Sequence, residues 1–169
     1  MNWFERSFPT NTPTWMYPNL LERLHGTPAR LEERIHAIPS ENLIIKLENK
    51  WSIQENLGHL LDLEALWSYR LEDILFGHEK LRATDLANAA TDQANHNAQP
   101  IQGLLEHFRK ARSAFVTKLE TLEPSDYGKT ALHPRLNTPM SILDTMYFVA
   151  EHDDHHLAMI SAIAKKLEH

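Results

Sequence analysis

Four long segments of this chain carry apolar residues every three or four positions, and this spacing constrains the fold more than any other feature. It places the apolar side chains on one face of an α-helix, and such a face must be buried against another element. Only the segment 43–45 hints at a β-strand, and it is too short to build on. The sequence therefore predicts an all-α fold.

The ends of the four predicted helices follow from capping signals. The first runs over about residues 17–38, where Gly26 and Pro28 favour a kink. The second begins with the capping box of residues 52–55, and the third follows Pro100. The fourth begins at Thr138 and Pro139, an N-cap followed by the residue favoured at the first helical position, and continues to about residue 166.

Four amphipathic helices bury their apolar faces most simply as a four-helix bundle. Residues 76–99, which separate helices two and three, form a connection that is long for a bundle. It contains Asp85, Asp92, Asn95 and His96, so we expect a crossover that is either functional or partly helical itself. A length of 169 residues fits one domain over residues 1–166, and residues 167–169 resemble the remnant of a purification tag.

The composition excludes several classes of function. The formal net charge is −6 and there is no basic stripe, which disfavours a nucleic-acid-binding surface. The absence of Cys excludes disulfides, thiolate metal ligands and a thiol nucleophile, and it fits a reducing cytoplasm. No apolar stretch approaches the length of a membrane span, and residues 1–6 do not begin a signal peptide.

The motif HDDHH at residues 152–156 lies inside the fourth helical pattern. His152 and His156 are four residues apart, so their rings can point at one position beside the helix. With Ile142 at zero and about 100° per residue, His156 falls at about −40°, His152 at about −80° and His155 at about −140°. The first two therefore face the interior, and His155 tends to its edge.

His59 lies on the second helix and completes a candidate set of three imidazoles if helices two and four are neighbours. Three neutral His ligands leave coordination positions open, as in catalytic zinc sites. Zn²⁺ or Ni²⁺ suits such a set best, although Fe²⁺ and Mn²⁺ remain alternatives. Asp153 and Asp154 are either carboxylates that fix the orientation of an imidazole or solvated surface acids.

Two charged residues interrupt apolar stripes at matching places. Glu64 lies in the stripe of the second helix, and Arg112 lies in that of the third. A buried charge needs a partner, so the first interpretation is an ion pair that fixes the register of the bundle. The alternative places Glu64 near the metal as a general base or proton relay. Four aromatic residues are either pocket walls or plain core: Trp51, Trp67, Tyr69 and Tyr147.

The chain resembles the DinB/YfiT-like superfamily of damage-inducible, metal-binding four-helix proteins. The resemblance spans essentially the whole chain and rests on WSIQENLGHL at 51–60, HPR at 133–135 and AEHDDHHLAMI at 150–160. It implies that His59, His152 and His156 are metal ligands, commonly for zinc or nickel, and that the bundle forms a homodimer. The family name describes regulation by damage stress, and the acidic charge gives no support for DNA contact.

Members of this superfamily with known chemistry include transferases and isomerases that use thiols such as bacillithiol, mycothiol or glutathione. The resemblance therefore implies a metal-dependent thiol S-transferase or hydrolase that acts on a small molecule, with a low-molecular-weight thiol as cosubstrate. The alternative is a non-enzymatic, metal-stabilised bundle that binds a partner. An open coordination position would favour the enzyme, and a fourth protein ligand would favour the alternative.

Overall fold

The computed structural model describes residues 3–48 and 50–168, and most of them are helical. Its elements, in chain order, are α1 (Tyr17–His36), α2 (Ile53–Leu75), α3 (Ala89–Gln93), α4 (Ile101–Glu120), β1 (Thr130–Leu132), β2 (Pro139–Ser141) and α5 (Ile142–Leu167). Single turns of 3₁₀-helix occur at Trp3–Glu5, Thr14–Met16, Ser40–Asn42 and His96–Ala98. No helix in these two ranges is both long and apolar enough to cross a membrane. The predictions about a signal peptide at residues 1–6 and a tag remnant at residues 167–169 lie partly outside the described residues, because Met1, Asn2 and His169 are not among them.

The four long helices form a bundle, which confirms the predicted all-α fold and its long crossover between the second and third bundle helices. Helices α1 and α2 each pack against both α4 and α5. Consecutive helices α1 and α2 therefore occupy opposite corners of the bundle. This arrangement brings α2 beside α5, which is the condition for His59 to meet His152 and His156.

Capping residues fix where the two site-bearing helices begin. The Ser52 hydroxyl accepts from the Glu55 N–H, and the Glu55 carboxylate accepts from the Ser52 N–H, as the sequence predicted. The predicted start of the last helix at Thr138 is wrong. Ser141 caps α5 through a reciprocal pair with Asp144, and β2 precedes it.

A short antiparallel hairpin immediately before α5 explains why this helix begins later than predicted. Strand β2 pairs with β1, and Pro139 lies opposite Leu132 at the first position of its strand, where proline is tolerated. No pattern in the sequence predicted the hairpin, because three-residue strands carry no periodic signal. The connecting residues 133–138 form a tight loop in which Asn137 adopts a left-handed conformation, with φ of 51°.

The crossover between α2 and α4 is partly helical, as one of the two alternatives predicted. It contains α3 and the 3₁₀ turn His96–Ala98, and each is preceded by an asparagine in the left-handed region, Asn88 or Asn95. Gln54 on α2 donates to the carbonyls of His96 and Gln99, at 2.6 and 2.7 Å. The crossover is thus tied to the first half of α2, the half that carries His59.

The core divides into two apolar clusters, and a layer of buried polar residues lies between them. Each bundle helix contributes one residue to a hydrogen-bonded set: Thr27 from α1, Glu64 from α2, Arg112 from α4 and Asp153 from α5. Arg112 donates to both carboxylates, with Nη2 2.6 Å from Glu64 Oε1 and 3.0 Å from Asp153 Oδ1. The predicted ion pair between Glu64 and Arg112 is present, and Asp153 extends it to a triad.

Candidate metal centre

The three predicted histidines converge in the bundle interior beside this polar layer. His59 on α2 meets His152 and His156 on α5, and one ring nitrogen of each lies within 4.8 Å of the others. All three side chains are buried, with at most 5% of their surface exposed. Within residues 3–48 and 50–168, no fourth His, Asp or Glu joins the group.

Hydrogen bonds select the tautomer of two of the rings. Nδ1 of His156 lies 2.8 Å from the amide oxygen of Asn56, which can only accept, so this nitrogen carries the proton. The Asn56 amide nitrogen donates to the Ser52 carbonyl at 2.8 Å, which fixes the orientation of the amide. The lone pair of His156 is therefore on Nε2, where it is available to a metal ion.

Thr91 on α3 orients the ring of His59 in the same way. The Thr91 hydroxyl donates to Asp62 at 2.7 Å, so its oxygen accepts from Nδ1 of His59 at 3.1 Å. Asp62 also accepts from Nε2 of His96, at 3.0 Å. This chain of contacts leaves Nε2 of His59 as the nitrogen with a lone pair.

The remaining ring, that of His152, has an unsatisfied polar atom. Its Nδ1 is buried and has no hydrogen-bond partner in the described part of the chain. A buried nitrogen without a partner is costly in an apolar interior. An ion bound at Nδ1 itself would offset that cost, so the donor set fits a metal.

All three imidazoles are held in the neutral form that metal binding requires. Burial lowers the pKa of His59 to about 4, and the neighbouring His96 contributes to this shift. Burial and then the adjacent imidazoles hold the pKa values of His152 and His156 well below the ordinary value. At neutral pH each ring therefore offers a lone pair without first losing a proton.

The three-His group faces a cavity of about 350 Å³. Trp3, Trp51, Trp67 and Phe148 form much of its wall, and the Trp67 ring lies 5.7 Å from that of His152. Two of the four predicted pocket aromatics, Trp51 and Trp67, thus line the cavity. The other two do not: Tyr69 is half-exposed against Arg82, and Tyr147 lies beside Arg23.

The two acidic neighbours of the histidines have different surroundings: the partly exposed Asp154 agrees with the surface-acid alternative, and Asp153 fits neither alternative. Asp153 is completely buried and accepts from Arg112 and Thr27, and neither it nor Asp154 is hydrogen-bonded to an imidazole in the described residues. Asp154 is half-exposed and pairs with Arg23 and Arg30. Asn56 and Thr91 take the orienting role instead.

Glu64 and His155 each contact an arginine and are not part of the three-His group. Both Glu64 oxygens accept from Arg112, which agrees with the structural interpretation rather than a general base. Burial raises the pKa of Glu64, and Arg112 opposes the rise. His155 lines the cavity, and its Nδ1 accepts from Arg6 at 3.3 Å.

Comparison with known proteins identifies the family. The sequence profile of the DinB superfamily matches residues 23–160. The chain belongs to the DinB superfamily. Its fold is similar to that of YfiT from Bacillus subtilis, which is described as a probable metal-dependent hydrolase with an unusual four-helix bundle topology. The TM-score is 0.85 at 16% identity, covering 97% of this chain and 94% of that one. No curated protein matches this DinB-superfamily chain.

Proposed function

We propose that this DinB-superfamily protein is a metal-dependent hydrolase that acts on a small molecule bound in the aromatic cavity. The observation that carries the proposal is a group of three neutral, buried imidazoles, without a fourth ligand among the described residues, at the wall of that cavity. A structural metal site is closed by four protein ligands, whereas a catalytic one keeps an open position. The description of YfiT as a probable metal-dependent hydrolase supports the same class.

In this proposal, His59, His152 and His156 hold a divalent ion, with Zn²⁺ or Ni²⁺ as the natural choices for imidazole ligands. When bound, such an ion supplies Lewis-acid activation of water and substrate at neutral pH. Asn56 and Thr91 hold two of the rings in the ligating tautomer. The aromatic wall gives the cavity an apolar lining beside the three-His group, which strengthens electrostatic interactions there.

Transfer of a thiol is the second candidate reaction. The composition of the chain determines where the thiol comes from. Because the chain contains no Cys, a thiol nucleophile must come from a cosubstrate of low molecular weight. A cavity of about 350 Å³ is within the size range of small-molecule sites, which leaves room for such a molecule. Hydrolysis and thiol transfer both require the same open three-His site.

Activity measurements on protein freed of metal and reloaded with Zn²⁺ or Ni²⁺ test the proposal. The substrates are p-nitrophenyl acetate, bis(p-nitrophenyl) phosphate and chlorodinitrobenzene with glutathione or cysteine. We expect metal-dependent turnover of at least one of them, and we expect His152→Ala to abolish both turnover and metal binding. His155→Ala is the matched control, since His155 lines the same cavity outside the three-His group.

Turnover that persists in metal-free protein, or in His152→Ala without bound metal, would contradict a metal-dependent reaction. Stoichiometric metal binding with no turnover of any substrate would instead favour the non-enzymatic alternative, a bundle stabilised by its ion.

A further inference from the structure

The cavity that adjoins the three-His group has a second polar surface, formed by Arg70, His133 and Arg135 and called here the basic face. Arg70 lies on α2, three residues after Trp67. His133 and Arg135 lie in the tight loop between β1 and β2. The proposed hydrolysis assigns no role to these three side chains.

Both guanidinium groups of the basic face lack an ion pair within the described residues. Arg70 is 3% exposed, yet the polar and cation-π partners of its side chain among the described residues are limited to the Arg82 carbonyl, the His133 ring and the face of Trp67. Nη2 of Arg135 is buried and has no hydrogen-bond partner in residues 3–48 and 50–168. Buried arginines are normally paired, so the buried Arg70 and the buried Nη2 of the half-buried Arg135, at one cavity wall, are suited to an anion.

The third member, His133, adds a further donor. Its Nδ1 accepts from the backbone N–H groups of Arg135 and Leu136, both at 3.2 Å, so the proton of the neutral ring is on Nε2. That Nε2 lies 3.3 Å from Nη1 of Arg70, which can also only donate. Two donors that face each other at this distance favour an acceptor beside them that both can reach.

Two acids in the surroundings of the basic face, Asp73 and Asp85, are already engaged elsewhere. Asp73 accepts from the backbone N–H and the side chain of Arg82, and it also contacts His78. Asp85 belongs to the cavity lining but accepts from the backbone N–H groups of residues 87 and 89. Burial, followed by the charge of Arg135, lowers the pKa of Arg70 to about 10 despite the opposing effect of Asp73. Arg70 nevertheless stays charged at neutral pH.

The basic face and the three-His group are separated by one aromatic side chain. The Trp67 ring lies 5.6 Å from Cζ of Arg70 and 5.7 Å from the ring of His152. Phe148 lies on the same wall, 5.4 Å from His133 and 6.1 Å from Trp67. A single small molecule with an apolar body can therefore contact both polar surfaces at once.

We propose that the basic face binds a carboxylate or phosphate group of the substrate, while the apolar body of that substrate lies against Trp67 and Phe148. This inference rests on the proposed function, because it assigns the substrate class of the same site. The substrate is thus a small anionic molecule. Its anionic group is at one end, and its reactive group, at the other end, reaches the three-His group. Planar guanidinium groups suit both kinds of oxyanion.

Binding of matched probes to metal-free protein tests this proposal separately from activity. The probes are phenylacetate, phenyl phosphate and the neutral phenylacetamide, measured by isothermal titration calorimetry. Metal-free protein is used because an ion in the three-His site would itself attract an anion. We expect at least one anion to bind about tenfold or more tightly than phenylacetamide, and its identity distinguishes a carboxylate site from a phosphate site.

Substitutions then locate the site. Arg135→Met and Arg70→Met should each weaken binding of the preferred anion about tenfold or more and leave phenylacetamide binding unchanged. Arg82→Met is the control, because Arg82 carries the same charge nearby but pairs with Asp73 outside the cavity lining. Arg135 is only half-buried, so its variant remains informative if Arg70→Met does not fold.

Equal affinity for the anions and the neutral amide would overturn the proposal, and so would equal losses in Arg82→Met and Arg135→Met. Anion binding without any metal-dependent turnover would overturn the proposed hydrolysis and leave the basic face as an anion site. Metal-dependent turnover combined with equal affinity for the anions and the neutral amide would overturn the anion site and leave the proposed hydrolysis standing.

Discussion

Replacing Arg112 with Met should destabilise the bundle strongly, because it leaves two carboxylates buried without a counter-charge. Glu64 is 3% exposed and Asp153 is completely buried, and Arg112 donates to both. Removing one member of a buried ion pair typically costs about 3–5 kcal/mol. That cost is a large part of the roughly 5–15 kcal/mol by which a domain is stable, so the unfolding midpoint should fall markedly.

Urea unfolding at pH 7.5, followed by circular dichroism on metal-free protein, measures this effect. Arg109→Met is the matched control, since Arg109 lies one helical turn earlier and pairs with Glu32 at the surface, where a pair contributes about 0–1 kcal/mol. A double substitution is a second check. Adding Glu64→Gln to Arg112→Met should raise the free energy of unfolding by about 1 kcal/mol or more, because it removes an unpaired buried charge. If Arg112→Met costs no more than Arg109→Met, the triad is not the buried, desolvated unit described above.

Three further predictions concern the surroundings of the three-His group. Gly58→Ala should cost about 1–3 kcal/mol of unfolding free energy, because its Cβ would lie 2.2 Å from Cδ2 of His96, whereas Gly103→Ala, with open space around it, should not destabilise. Asn56→Ala should weaken metal binding about 10–100-fold in a competition titration, and unchanged affinity would refute its orienting role. Metal-free protein should lose stability as the pH falls below about 6.5, because the unfolded chain then binds protons that the buried imidazoles cannot. With a pKa of about 4, His59 alone contributes a loss of about 2 kcal/mol at pH 5, and a constant stability between pH 7 and 5 would contradict this.

Much of the site could be predicted because it depends on helical periodicity. The phases of His152 and His156 relative to Ile142 placed both rings inside, and the structure buries both. With Ile142 at zero and about 100° per residue, Asp153 falls at about 20°, which is nearer the centre of the inner face than either histidine. That signal was sufficient to predict a buried acid, and it explains why Asp153 pairs with Arg112 rather than with solvent or an imidazole.

The parts that the sequence did not predict depend on tertiary contacts. Thr91 reaches His59 only because the crossover folds back onto α2, and no local pattern encodes that path. Thr138 and Pro139 have the residue types of a helix start, but Pro139 belongs to β2. The N-cap of α5 is Ser141. Arg70 and His133 come from distant segments, so their meeting at the cavity has no signature in sequence spacing. The homodimer, the thiol cosubstrate and the cytoplasmic location stay predictions.

The proposed function depends on metal binding by the three histidines, which is measured as the metal content of untagged protein after stripping and reloading. Zn²⁺ or Ni²⁺ is added to chelator-treated protein, excess ion is removed, and bound metal is counted by plasma mass spectrometry. We predict one ion per chain in the wild type and in His155→Ala, and almost none in His59→Ala, His152→Ala or His156→Ala. One ion retained by all three of these variants, or none in the wild type with either metal, would show that the three histidines do not form a metal site.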